Sequence, residues 1–207
     1  MENKAVKSPV KPVRSRARAT ALPAKTQLDP ERWIELGIDV LAKEGVSGLR
    51  VEVLAKRCGV TKGSFYWHFK DRQALLAAIL ERWKEGRIRD IEKITVVAPG
   101  MERDQLHLAI EVYGASRNRK GMAIELAMRD WARHDAQAAA TVETVDLYRL
   151  DCTRKLFVAT GMSDADAKSR SLLLYACVFG LSLMHYTHFD DNLNDLKQRI
   201  AERIVSN

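Results

Sequence analysis

After Pro30 the chain meets only one more proline, Pro99, and over nearly all of that length its apolar residues recur at helical spacing rather than alternating. A sequence without a period-two pattern has no half-buried strands to offer, so the expected fold is all-α. Asp29-Pro30 reads as an N-cap followed by proline at the first helical position. Trp33, Ile34, Ile38, Leu41 and Ala42 then share one face until Gly45. A short helix is predicted over about 50–57, with Val51, Leu54 and Ala55 inward, and a second over Lys62 to Phe69. Cys58-Gly59-Val60 forms the tight turn between them, and Asp71 opens a longer helix carrying Leu75, Leu76, Ile79, Leu80 and Trp83.

The stretch from Ile94 to Gly100 breaks this pattern, dividing a domain over 29–92 from a larger one over 93–207. In the second, helices are expected near 102–115, 119–132, 135–160, 163–188 and 192–205. No run is apolar enough to span a bilayer, and the basic N-terminus has no apolar segment behind it to make a secretion signal. Cys58, Cys152 and Cys177 lie far apart with no CxxC, which fits reduced thiols in a cytoplasmic protein.

The net charge of +7 is unevenly distributed. Residues 1–28 hold seven Lys/Arg against Glu2, residues 29–90 twelve basic against ten acidic groups, and residues 91–207 fifteen against sixteen. The first 28 residues also contain Pro9, Pro12 and Pro23 and no aromatic residue, the composition of a disordered basic arm. A polyanion met by this end of the molecule is the functional reading, nucleic acid ahead of a membrane; a solubilising tail is the plain one.

Two short helices joined by a glycine-containing turn, with a third helix before them, match a helix-turn-helix. A three-helix domain cannot bury both faces of its last short helix, so that helix can enter a major groove. Its outer side would carry Lys62, Ser64, Trp67 and His68, with Phe65 and Phe69 inward. Gly63 would let the backbone approach DNA, and Thr61 would cap a helix start that favours a phosphate. A helical hairpin with no partner fits the same spacing.

The run Leu54-Ala55-Lys56-Arg57-Cys58-Gly59-Val60-Thr61-Lys62-Gly63-Ser64-Phe65-Tyr66-Trp67-His68-Phe69-Lys70-Asp71-Arg72-Gln73-Ala74-Leu75-Leu76 closely resembles the signature of the tetracycline-repressor (TetR) family. The resemblance covers roughly residues 30–85. It implies a homodimeric, ligand-released repressor on a palindromic operator, with base contacts from Lys62, Gly63 and Ser64 and phosphate contacts from Tyr66, His68, Lys70 and Arg72. Trp67 would meet a thymine methyl or a sugar. The family commonly has threonine near Arg50 and lysine at Arg72. Arg50 keeps a phosphate contact open but loses a preferred cap, so Ser47 is an alternative helix start.

Residues 172–184 are apolar right round their helix, which therefore needs cover on more than one side. Ala176, Gly180 and Leu183, with Leu196 and Ile200 on the last helix, are the candidate dimerisation residues; a helix wholly inside one monomer is the alternative. The resemblance also implies a small-molecule cavity among the middle helices for an apolar or aromatic effector. Its candidate lining is Tyr113, Met122, Leu126, Met128, Trp131, Tyr148, Phe157 and Phe179, all of which could equally be plain core. Glu125 and Arg129, four apart, read as a surface pair; either one facing the cavity would select a polar or charged group.

No catalytic residue, cofactor or metal is assigned. His134-Asp135 has no nucleophile or second carboxylate at a supporting spacing, and His185 and His188, ahead of Asp190 and Asp191, suit a helix C-terminus at least as well as a metal. The competing reading is a helical ligand-binding or interaction module whose helix-turn-helix is vestigial.

Overall fold

The computed structural model describes residues 28–114 and 119–206, without the side chains of 112–114 and 119. The basic arm lies outside the described residues except for Leu28. Among those residues the regular structure is helical: α1 (Pro30–Glu44), a 3-10 turn (Val46–Gly48), α2 (Val51–Arg57), α3 (Lys62–Tyr66), α4 (Arg72–Thr95), α5 (Glu102–Gly114), α6 (Arg119–Ala132), α7 (Ala136–Ala159), α8 (Asp164–Leu183) and α9 (Leu193–Val205).

The caps follow from the sequence. The Asp29 carboxylate accepts from the Arg32 N–H at 2.8 Å, Asp71 from Ala74 at 2.9 Å and Asp135 from Ala138 at 2.9 Å. Helix α1 buries Trp33, Ile34, Gly37, Val40 and Leu41. Gly37 is required by packing, because a Cβ there would sit 2.5 Å from Ile79 Cδ1 on α4. Gly59, at φ 65°, makes the turn between α2 and α3.

Two helices end earlier than their periodicity suggests. Helix α3 stops at Tyr66 because the Phe65 carbonyl accepts from both His68 and Phe69, a tightening that brings Phe69 back into the core beside Phe65. Helix α8 stops at Leu183, beyond which Leu183, Met184 and His185 are exposed and no packing sustains another turn.

Two cores result. The first runs from Trp33, Leu41, Leu54 and Phe65 through Leu75, Ile79 and Trp83, and continues into Met128 and Trp131 of α6 and Val142 and Val145 of α7. The second joins Leu106, Leu156, Phe157, Leu174, Tyr175, Val178, Ile204 and Val205. Helix α6 is thus packed into the same core as α1, and Lys120 adds an ion pair to Asp39 at 2.8 Å.

Candidate nucleic-acid interface

Phe65, wholly buried, anchors α3. It meets Trp33 edge-on at 5.3 Å and stacks with Phe69 at 5.4 Å, so the opposite side of this short helix faces out. Thr61, Lys62, Gly63, Tyr66, Trp67 and Lys70 are exposed there. Trp67 is 79% exposed, a large apolar area for a monomer to leave in water. A Cβ at Gly63 would meet only Thr61 Oγ1, at 3.6 Å. The fold therefore leaves room for a better helix former at this position.

The cations of this face fall into two groups. Lys62 Nζ lies 3.2 Å from Glu52 on α2, and Arg57 pairs with Glu44 on α1. The Glu52 carboxyl is held below its usual range by a backbone hydrogen bond and then by Lys62. Arg50 and Lys70 are exposed and make no ion pair among the described residues. Arg50 is the N-cap residue of α2 and its side chain makes no cap hydrogen bond; Thr61 likewise occupies the cap of α3 without a side-chain bond. Ser47 lies in the 3-10 turn and donates to the Glu44 carbonyl, so it does not start α2.

Three expected contact residues are placed differently from their sequence reading. Arg72 does not point outward: its Nε donates to the Leu49 carbonyl at 2.6 Å and its NH2 to Val46 at 2.9 Å, fastening α4 to the loop before α2. A guanidinium so used holds the domain together, where the sequence suggested a phosphate contact. Ser64 Oγ and His68 Nε2 are buried without a hydrogen-bond partner, so neither atom is presented on the outer face.

Farther from this face, the proposed ligand-lining residues do not form one set. Met128 and Trp131 are buried in the first core, beside α1 and α4. Tyr148 packs on that core and donates to Glu92 of α4 at 2.9 Å, a bond that pushes its phenol up to about 12. Phe157 is buried in the second core, with Met122 and Phe179 packed against it. Leu126 is half-buried, and the Tyr113 side chain lies outside the described residues.

Glu125 and Arg129 are not a surface pair. Glu125 is 4% and Arg149 1% exposed, and both join a network with Arg129 and Asp146. The signal for Arg149 is its spacing, since Val142, Val145, Arg149, Thr153 and Leu156 make one buried stripe along α7. On α8, Leu172, Leu173, Ala176 and Leu183 are exposed, and nothing lies within 4 Å of a Cβ built at Gly180. Leu196 and Ile200 of α9 are half-buried.

Residues 34–79 match the family described as bacterial regulatory proteins, tetR family. Those residues carry a tetR-family domain. The chain is 43% identical over 56 residues to the tetracycline repressor protein class A from transposon 1721 of Escherichia coli, a match covering 27% of this chain and 26% of that protein. It is 25% identical over 183 residues to the HTH-type transcriptional regulator AcrR of Shigella flexneri, covering 83% of this chain and 84% of AcrR. The fold is similar to a putative transcriptional regulator from Saccharomonospora viridis in complex with choline (TM-score 0.70, 16% identity, 86% of this chain and 96% of that one). It is also similar to one from Pseudomonas aeruginosa PAO1 (TM-score 0.69, 20% identity, 88% and 93%). No helix among the described residues is long and apolar enough to cross a membrane.

Proposed function

We propose that this chain is a tetR-family, sequence-specific DNA-binding repressor that acts as a homodimer on a palindromic operator in the cytoplasm and is released by a small organic effector. The observation that carries the reading is the outer face of α3, where exposed Lys62, Tyr66, Trp67 and Lys70 surround a glycine that the fold itself does not need. Lys62 would read a base edge; Tyr66, Lys70 and Arg50 would hold phosphates and set the register. Residues 29–92 would serve as the DNA-reading domain and residues 93–207 as the effector and dimerisation domain. The exposed stripe Leu172, Leu173, Ala176 and Leu183 on α8 supports self-association about a two-fold axis, with Gly180 allowing close helix approach. A two-fold dimer presents two copies of α3, which is why the operator should be an inverted repeat. The choline held by the similar Saccharomonospora viridis protein supports an organic ligand in a fold of this kind. No catalytic role is proposed.

Selection of bound duplexes from a random DNA pool by the full-length protein tests this. An inverted repeat is expected. Recovery without a consensus, with binding that vanishes as salt rises, would leave only electrostatic attachment and favour a ligand-binding module with a vestigial helix-turn-helix.

A further inference from the structure

A single carboxylate stands on the face that the proposed function turns toward DNA. Residues 50–70 hold five Lys/Arg (Arg50, Lys56, Arg57, Lys62 and Lys70) and one acid, Glu52. Glu52 lies in the first turn of α2, Lys62 opens α3, and Lys62 Nζ lies 3.2 Å from Glu52 Oε1. Both side chains are more than half exposed, and an ion pair so open to water contributes little to folding. The two helices are joined in any case by the turn at Gly59 and by Leu54, Ala55 and Phe65 in the first core. The fold therefore has little use for Glu52, and beside phosphates its charge opposes binding. The carboxyl stays ionised, held below its usual range by a backbone hydrogen bond, then by Lys62, with Arg50 adding to the effect.

What such a pair can do follows from the base edges. In a G·C pair the guanine O6 accepts from the cytosine N4 amino group at about 2.9 Å, leaving one O6 lone pair and one N4 hydrogen facing the major groove. An acceptor and a donor thus stand side by side, complementary in order and close in spacing to Lys62 Nζ and Glu52 Oε1. Lys62 has three protons: one for Glu52, one for O6 and one for the neighbouring N7. Glu52 keeps lone pairs for N4 after accepting from Lys62. A T·A pair offers O4 and an N6 hydrogen in the same order, but the thymine methyl stands where guanine has N7, so one Lys62 proton goes unused.

We propose that Glu52 and Lys62 read one G·C pair together, Lys62 donating to the guanine and Glu52 accepting from the cytosine N4. This rests on the sequence-specific DNA-binding reading above and supplies a second base-reading residue and the pair it reads. Glu52 also sharpens discrimination, because on any sequence that brings no N4 hydrogen within reach its carboxylate is only repelled.

The test runs duplex selection on the full-length wild-type chain, Glu52→Ala, Glu52→Gln and Lys62→Ala, with thermal unfolding to confirm that each variant is folded. Affinities for the selected duplex, for that duplex substituted at each position and for a random-sequence duplex are then compared at one salt concentration. Glu52→Ala is expected to lower preference about tenfold at the same symmetry-related G·C pair that Lys62→Ala relaxes, while its affinity for the random duplex rises. Glu52→Gln loses the same charge but keeps an acceptor oxygen at the same reach. Its affinity for the random duplex should rise equally, with most of the G·C preference retained. If Glu52 acts by charge alone, both variants bind every sequence more tightly and select an unchanged consensus. That result, or relaxation at a pair other than the one Lys62 reads, or at a T·A pair, overturns the proposal. A wild-type chain that selects no consensus sinks the sequence-specific reading and this proposal with it; an inverted repeat selected identically by wild-type and Glu52→Ala sinks the role of Glu52 alone.

Discussion

The outer face of α3 and the interior between α6, α7 and α8 use charge in opposite ways. On the outer face, Lys70 and Arg50 stand in water without an ion pair among the described residues and Lys62 pairs only with the exposed Glu52, so an ion there costs little to keep and is available to a polyanion. In the interior, Arg149 and Glu125 are almost wholly enclosed and persist because, with Arg129 and Asp146, two guanidiniums and two carboxylates neutralise one another. The first arrangement depends on a partner that brings its own charge; the second is complete within the chain. The difference explains why removing a charge should act on binding at one end and on folding at the other.

The strongest way to break that contrast is Arg149→Met. It leaves Glu125 with Arg129, at 2.8 Å, as its remaining guanidinium partner among the described residues and removes the more enclosed one, and a loss of about 2–3 kcal/mol is expected by urea unfolding. A variant as stable as the wild-type chain would mean that the enclosed pair contributes nothing. Next is the pair of neighbours Arg72 and Lys70. Arg72→Met takes the guanidinium from the Leu49 carbonyl and leaves the Val46 carbonyl with the Leu49 N–H, which should cost about 1–3 kcal/mol of stability while the salt dependence of DNA binding stays as it was. If instead Arg72→Met lowers the salt slope, its side chain turns outward to a phosphate after all.

Lys70→Ala combined with Tyr66→Phe should do the reverse. Stability should change by less than about 0.5 kcal/mol, DNA binding should weaken on every sequence, and the salt slope should fall by about 1. Affinity within about twofold of the original would move the phosphate face elsewhere. The smallest effect concerns Tyr148, whose phenol is shifted from 10.0 to about 12, chiefly by its bond to Glu92. A raised folded value means that this bond stabilises fully below pH 10 and is lost as pH climbs through about 12. Ultraviolet titration should show one late-ionising tyrosine that disappears in Tyr148→Phe; a titration unchanged by the substitution would remove the bond.

The DNA-reading end was legible because its signals are local. The turn at Gly59, the caps at Asp29 and Asp71 and the inward Phe65 and Phe69 are all set by residues within one or two turns of each other. The family signature also falls wholly within residues 34–79. What misled there was Arg72, since its partners Val46 and Leu49 lie more than twenty residues upstream and spacing along one helix says nothing about them. The interior failed for the same reason at larger scale. Glu125 and Arg129 satisfy the spacing of a surface pair, and only the arrival of Asp146 and Arg149 from α7 makes them an enclosed network. The candidate ligand lining is mostly aromatic and Met side chains, which cores use as freely as sites do, and the structure places Met128, Trp131 and Tyr148 with one core and Met122, Phe157 and Phe179 with the other.

The central claim, that α3 reads sequence through Lys62, is tested most directly by running the duplex selection in parallel on the wild-type chain and on Lys62→Ala. The account predicts the same inverted repeat with preference relaxed at one symmetry-related pair of positions, by about 1–3 kcal/mol for the affected base. An identical consensus from both proteins would contradict it.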